Sequence, residues 1–320
     1  MNLPTLTELD QAADLVHSTI LPSAQLEWPL LSKRCSCQVW VKHENHNPTG
    51  AFKVRGGLVY VSKLRQREPG IKGLVTATRG NHGQSVAFAA SRHNMASVVV
   101  VPEGNNPDKN RAMRALGAEL IVHGADFDEA IPYTEILAAE RGLHRMPSFH
   151  MDLVCGVASY SLELFRSQPD LERVYVPIGL GSGICGMICA RNALGLETEI
   201  VGVVSGAADC YAKSLEAGAC VSTDSAATLA DGMAVRVPSP DALEIMRGNV
   251  SRIVTVDDNE VLAAMGVYFS DTHNIAEGAG AAPLAALLKE SALNVGSKVG
   301  IVLSGGNVDE VLYRKALSAL

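Results

Sequence analysis

The sequence predicts an α/β protein built on open parallel sheets, and three observations carry that prediction. Short runs rich in Val and Ile alternate along the chain with stretches of helical periodicity. Several of those runs, such as 97–101 and 298–303, are almost continuously apolar, as strands are when helices cover both faces of a parallel sheet. The chain has 320 residues, of which 47% are hydrophobic and 19% charged, enough for a substantial core in two domains or one large α/β unit.

In chain order, strands are expected at 39–42, 74–77, 97–101, 119–122, 174–177, 200–204, 253–256 and 298–303. Helices are expected between them, at 82–93, 107–116, 127–141, 157–167, 183–194, 258–271 and 279–291. A further amphipathic helix can open at Lys53, with Phe52, Leu58, Val59 and Val61 on its buried face. No repeat, low-complexity tract or heptad pattern interrupts this order. The run His144-Arg145-Met146-Pro147-Ser148 is the expected crossing between two halves. Residues 1–70 and 149–320 would form the larger domain and 71–148 the smaller. The segment 222–240, rich in Ser, Ala, Thr, Pro and Asp, is expected to run over the surface.

Composition excludes several functions. The net charge of -7, the absence of a basic block and the 5% aromatic content argue against a nucleic-acid partner. Met1-Asn2-Leu3-Pro4-Thr5 has no basic region leading into an apolar stretch, so no signal peptide is expected. No apolar run approaches the ~20 residues that span a bilayer, so no membrane partner is expected and the cytoplasm is the default location. The seven cysteines lie mostly in apolar or Gly/Ala-rich surroundings, as reduced thiols do. Cys35/Cys37 and Cys185/Cys189 lack partners at zinc spacing, so no metal site is assigned to them.

Three segments carry chemistry. In Asn47-Pro48-Thr49-Gly50-Ala51-Phe52-Lys53-Val54-Arg55-Gly56-Gly57, a lysine sits between an aromatic and a β-branched residue after a Thr-Gly turn. Drawn inward, its amine would lose charge and become a nucleophile for carbonyls; left outside, it simply opens an amphipathic helix. Val176-Pro177-Ile178-Gly179-Leu180-Gly181-Ser182-Gly183-Ile184-Cys185-Gly186 follows a strand and opens a helix, as phosphate-binding loops do. The next strand ends in Ser205-Gly206 with no acid to hold a ribose, so a single phosphate suits the loop better than a dinucleotide. A tight turn with no ligand is the remaining alternative. In Thr76-Ala77-Thr78-Arg79-Gly80-Asn81-His82-Gly83-Gln84-Ser85, a strand enters a polar loop and then a helix, a place for a carboxylate or merely a cap. Near the end, Val302-Leu303-Ser304-Gly305-Gly306-Asn307 sets a hydroxyl at the carboxyl edge of a strand, where ligands bind in open α/β sheets.

Together these segments resemble the fold-type II pyridoxal-phosphate enzymes, and within them the serine/threonine dehydratase (threonine ammonia-lyase) and serine racemase branch. The resemblance runs over nearly the whole chain, through Lys42-His43-Glu44, residues 49–56, Gly80 to Gln84, Val101-Pro102-Glu103-Gly104, Lys109, Gly117-Ala118-Glu119, the loop at 179–183, Thr228-Leu229-Ala230-Asp231-Gly232 and Ser304 to Asp309. It implies a tryptophan synthase β-like fold of two open parallel-sheet α/β domains with pyridoxal 5'-phosphate between them. It implies that Lys53 forms the Schiff base and later moves the substrate Cα proton, while Phe52 flanks the ring. Asn81 would bond the ring hydroxyl, Gly179, Gly181, Ser182 and Gly183 the phosphate, and Ser304 the ring nitrogen. Thr78, Asn81 and His82 would receive the substrate carboxylate. A small amino acid is the implied partner, and a homodimer or homotetramer the implied assembly.

A neutral Ser304 keeps no proton on the ring nitrogen, which favours rapid loss of a β-substituent once Cα is deprotonated. The expected function is therefore a carbon–nitrogen lyase that turns L-threonine, L-serine or a related β-hydroxy amino acid into a 2-oxo acid and ammonia. Alternatives are a lyase for 3-hydroxyaspartate or a bulkier 3-hydroxy amino acid, a serine racemase, or a phosphate- or nucleotide-binding protein without activity. The sequence departs from the branch at three places. Arg79 stands where racemising members carry a serine acid, and a guanidinium is a poor proton shuttle; it would instead bind an anionic side chain or lie at the surface. No acid stands in 203–206 where the branch holds a cation, although Asp209 is near, so a divalent or monovalent ion is doubtful. The chain ends shortly after Asp309, so a regulatory domain with feedback control is not expected.

Overall fold

The computed structural model describes residues 2–125 and 127–318; Met1, Asp126 and the final two residues lie outside it. The chain runs α1 (Leu6–His17), β1 (Gln25–Glu27), α2 (Pro29–Cys35), β2 (Gln38–His43), α3 (Lys53–Arg67), β3 (Gly73–Ala77), α4 (Asn81–Arg92), β4 (Ala96–Val101) and α5 (Pro107–Ala115). It continues through β5 (Glu119–Val122), α6 (Phe127–Arg141), β6 (His144–Arg145), α7 (Met151–Ser167), β7 (Arg173–Pro177), α8 (Ser182–Ala193), β8 (Glu199–Ser205) and α9 (Cys210–Ala217). It closes with α10 (Pro240–Met246), β9 (Arg252–Val256), α11 (Asp258–Thr272), α12 (Gly278–Lys289), β10 (Lys298–Leu303) and α13 (Glu310–Ser318).

Two sheets result. The larger has six strands in the order β1-β2-β10-β7-β8-β9, and the smaller has four in the order β5-β4-β3-β6. All pairs are parallel except β1, which lies antiparallel on β2 at the edge of the larger sheet. The expected parallel sheets are present, with β1 as an added antiparallel edge: Gln25-Leu26-Glu27 is too short and polar to read as a strand, and its pairing comes from the return of the chain onto β2. The crossing at 144–148 also begins as β6, a two-residue edge strand on β3.

Apolar residues on both faces of the larger sheet explain its continuous runs. Val39, Val41, Val299 and Ile301 face the core beneath α11 and α12, while Val174, Val176, Ile200 and Val302 face the core shared with α3, α7 and α8. Helix α3 joins the two sheets, since it packs on α7 on one side and on α4 on the other. α7 starts at Met151, six residues before the expected 157, with His150 Nδ1 accepting from the Asp152 N–H at its start. The segment 222–240 is not simply a surface run: Ala230 and Met233 are buried, and it walls a cleft described below. Among the described residues, no helix is long and apolar enough to cross a membrane.

One buried polar cluster anchors the start of α3. Arg55 is inaccessible to solvent. It donates through Nε and Nη2 to both carboxylate oxygens of Glu44 at 2.7 and 3.0 Å, and through Nη1 to Glu163 Oε1 at 2.6 Å and Ser159 Oγ at 2.9 Å. Lys42 Nζ donates to Glu163 Oε2 at 2.5 Å and Asn47 Nδ2 to Glu44 Oε2 at 2.7 Å. Burial would raise the Glu163 pKa, but Arg55 and Lys42 outweigh it and hold the carboxylate below its usual range. Removing one partner from such a cluster strands buried charge, at a cost of about 3–5 kcal/mol. We expect Arg55→Leu to lower the unfolding free energy by about that amount in a denaturant titration; a loss below about 1 kcal/mol, the worth of an exposed pair, would show that the cluster does not anchor α3.

Candidate functional site

The site lies where the carboxyl ends of β2, β10, β7 and β3 meet, as open α/β sheets dictate. After β2 the chain turns at Asn47–Gly50, and the Gly50 N–H closes on Asn47 O at 2.8 Å. Gly50 has φ +66°, and a side chain there would strike the Asn307 amide, so only glycine serves. The Phe52 N–H donates to Ser304 O at 3.0 Å and the Gly306 N–H to Gly50 O at 2.9 Å, which ties the Lys53 segment to the loop after β10. Lys53 opens α3 in the turn that Arg55 fixes.

The loop after β7 reaches the same cavity. Gly181 has φ +105°, and the turn presents Ser182 as the first residue of α8. The first-turn N–H groups of α8 have no intrahelical partners, and the helix dipole lies behind them. Phe52, Lys53, Asn81, Gly179, Gly181, Ser182, Gly183 and Ser304 line one cavity. After β3, Thr78 Oγ1 accepts from the Gly80 N–H at 3.0 Å, and Asn81 opens α4. Thr78, Arg79, Asn81, His82 and Lys53 line an adjoining chamber of about 90 Å³. Thus each of these sequence-selected residues borders one of two adjoining spaces.

Electrostatics distinguish the two lysines of the site. Lys53 Nζ lies 5.2 Å from the centre of the Phe52 ring. Burial pulls its pKa down to about 8 against an opposing pull from Glu277. His82 is buried with Nε2 unpartnered, and burial first, then nearby Lys53, push its pKa down to about 3. Lys109 donates to Asp231 Oδ2 at 2.5 Å and stands 3.6 Å from Glu277 Oε2. Burial works against the Lys109 charge, but Glu277 and Asp231 outweigh it and hold its pKa above the ordinary value.

Glu277 escaped the sequence reading. It is 3% exposed and lines the Lys53 cavity; Oε1 accepts from Asn81 Nδ2 at 2.6 Å, while Oε2 has no hydrogen-bond donor. Burial raises its pKa, partly offset by Lys109. Its only sequence signal is an acid directly before the apolar Gly278–Lys289 helix, which reads as an ordinary cap. Asp209, the possible cation ligand, pairs instead with Lys213 at 2.9 Å. Arg79 is exposed and makes no hydrogen bond or ion pair among the described residues.

The cavity fits pyridoxal phosphate on several counts. The α8 terminus offers backbone donors for a phosphate, and Lys53 offers an amine that sheds its proton easily. Gly183 lies in van der Waals range of the Phe52 ring and the Tyr160 hydroxyl, with Phe52 Cζ and Tyr160 Oη both 3.6 Å from where its Cβ would stand, so the glycine loop and the Phe52 ring border the same space. His82 Nε2 is a buried polar atom with no hydrogen-bond partner among the described residues, as expected of a group that awaits a polar ligand.

Known proteins bear on this site. The chain is 36% identical over 304 residues to an L-threonine ammonia-lyase of Geobacter sulfurreducens, covering 95% of this chain and 75% of that one. It is 32% identical over 320 residues to an L-threo-3-hydroxyaspartate ammonia-lyase of Saccharomyces cerevisiae, covering 99% and 98% of the two chains. Maize serine racemase superimposes with a TM-score of 0.92 at 25% identity, over 99% of this chain and 98% of that one. Residues 16–305 match the family described as pyridoxal-phosphate dependent enzyme, a span that contains both sheets and each strand end that builds the cavity. This chain therefore belongs to the pyridoxal-phosphate dependent enzymes, of fold type II, and pyridoxal 5'-phosphate is its cofactor.

Proposed function

We propose that the chain is an ammonia-lyase that converts L-threonine, L-serine or a related β-hydroxy amino acid to a 2-oxo acid and ammonia. The observation that carries this reading is Lys53, an amine with its pKa near 8, in one cavity with the neutral hydroxyl of Ser304. Support comes from the likeness to relatives named for ammonia-lyase activity. In this reading residues 1–70 and 149–320 act as the cofactor domain and 71–148 as the substrate domain, with the cavity between them.

When bound, the cofactor supplies an electron-withdrawing ring that takes up the charge left at the substrate Cα. Gly179, Gly181, Ser182 and Gly183 would hold its phosphate, and Phe52 would flank its ring. Asn81 holds the ring hydroxyl, and Glu277 keeps the Asn81 amide aimed by accepting from Nδ2. Thr78, Asn81 and His82 hold the substrate carboxylate at the opening of α4. Lys53 Nζ accepts the Cα proton. Ser304 gives the ring nitrogen a hydroxyl rather than a carboxylate, so no acid keeps a proton there and departure of the β-hydroxyl is favoured. Arg79 offers a guanidinium, a poor proton shuttle, where racemisation would need an acid facing Cα, which favours elimination over racemisation. The reading also places the protein in the cytoplasm, where its seven free thiols stay reduced. Homo-oligomer formation would cover the exposed Leu21, Leu26 and Leu30 around β1.

Two measurements test this function. A keto-acid assay over L-serine, L-threonine, 3-hydroxyaspartate and phenylserine is expected to give product with at least one, and Lys53→Ala to lose about 100-fold or more; no keto acid from any of them would overturn the lyase reading. The second concerns pH. The free amine of Lys53 is the nucleophile that captures the cofactor, and its fraction grows as pH rises through about 8. Uptake of pyridoxal phosphate by the apoprotein should therefore quicken from about one unit below that value and level off about one unit above it. A flat profile across that window would contradict the lowered pKa.

A further inference from the structure

The chamber beside Lys53 is small, and it opens onto a much larger space. A cleft of about 690 Å³ lies between α6 with the 145–149 segment on one side and the 224–239 segment on the other. Arg79, Phe127, Ser148, Leu180, Ala234 and Val235 line both spaces, so the two are continuous. Serine or threonine, held near Lys53, would leave the cleft without substrate.

Three guanidinium groups line this path, and two of them, Arg79 and Arg145, are graded along it. Arg79 borders both spaces and has no hydrogen bond or ion pair among the described residues. Arg145 borders only the outer cleft. Its Nε donates to Thr134 Oγ1 at 3.0 Å, which sets the plane of the guanidinium. Among the described residues it pairs with the exposed Glu135, 3.6 Å from Nη1, a pair of little strength. Arg236 and Asp224 also line the cleft. Between the charged groups the wall is apolar, with Ile131, Pro147, Phe149 and Val237. An apolar passage with a charge at its neck and another beyond suits a methylene chain that ends in an anion.

We propose that this cleft is a side-chain subsite, a proposal that rests on the lyase reading of the inner chamber. The substrate it fits is a β-hydroxy amino acid whose side chain runs past Cβ to a terminal carboxylate. Arg79 steers the chain out of the inner chamber, and Arg145 receives the carboxylate through its paired N–H groups. A carboxylate placed directly on Cβ would stay within reach of Arg79 and leave Arg145 unused.

Calorimetric titration of the holoenzyme with malonate, succinate, glutarate and adipate, each beside the monocarboxylate of equal length, tests the subsite. Affinity is expected to rise with chain length and to exceed that of the matching monocarboxylate by about tenfold or more for the longer diacids. Arg145→Ala should abolish that gain while sparing malonate, and Arg145→Lys should restore part of it. Cofactor absorbance and the thermal midpoint of each variant report that it is folded and loaded. Equal affinity for mono- and dicarboxylates, or a variant that loses malonate and adipate alike, overturns the subsite. Ammonia release from threonine with no diacid preference overturns it while the lyase reading stands. Absence of ammonia from every amino acid removes the lyase reading, and with it the substrate role of the cleft.

Discussion

Arg55 carries a guanidinium into a solvent-free region two residues after Lys53, on the first turn of the same helix. Its donors meet Glu44 at the end of β2 and Glu163 and Ser159 on α7, while Lys42, Ser23 and Asn47 satisfy further carboxylate oxygens. Burying these charges is costly, and apolar side chains of the same volume can stabilise a core equally well. What the cluster adds is direction, because a planar fork against two carboxylates accepts one orientation. That orientation fixes where α3 begins and so where Lys53 points. The backbone bonds from Phe52 to Ser304 and from Gly306 to Gly50 then hold the lysine segment against the loop after β10.

With the lysine fixed, burial does the chemical work. The same desolvation that drops Lys53 toward neutrality acts on Lys109, yet Lys109 keeps its charge because Asp231 and Glu277 stand beside it. Two lysines in neighbouring positions are thus assigned opposite states by their partners. Lys109, Asn106 and Asn81 come from the side of the smaller sheet, and Asp231, Asp309 and Glu277 from the larger, so these pairs also link the two sides of the site. The salt bridge of Lys109 is therefore both an electrostatic control and a mechanical contact.

Much of this was legible in the sequence, for reasons that can be named. The strands at 97–101 and 298–303 are marked by continuous apolar runs, and they appear as Ala96–Val101 and Lys298–Leu303. The glycine loop, the Asn81 loop and Ser304 follow β7, β3 and β10, and Lys53 opens α3 after the Asn47–Gly50 turn; backbone geometry restricts residue type at such places, and the structure brings all four to one cavity. β1, α2 and α10 were not, because they are three- and seven-residue elements whose residues carry no periodicity long enough to read. The larger omission is Glu277. Its meaning comes from Asn81 and Lys109, 196 and 168 positions away in sequence, and spacing along a chain holds no trace of such a contact. The breadth of the cleft beyond Arg79 was equally invisible, since the 224–239 segment reads as surface until its far side is seen to face α6.

Folding should leave one lysine, Lys53, as the amine that holds the cofactor. Borohydride reduction of the purified yellow protein, followed by peptide mapping by mass spectrometry, addresses it directly. The reduced cofactor is expected on the peptide that contains Lys53 and on no other lysine. Label on Lys109 or Lys42, or an unmodified Lys53 in protein that had been saturated with cofactor, would contradict it.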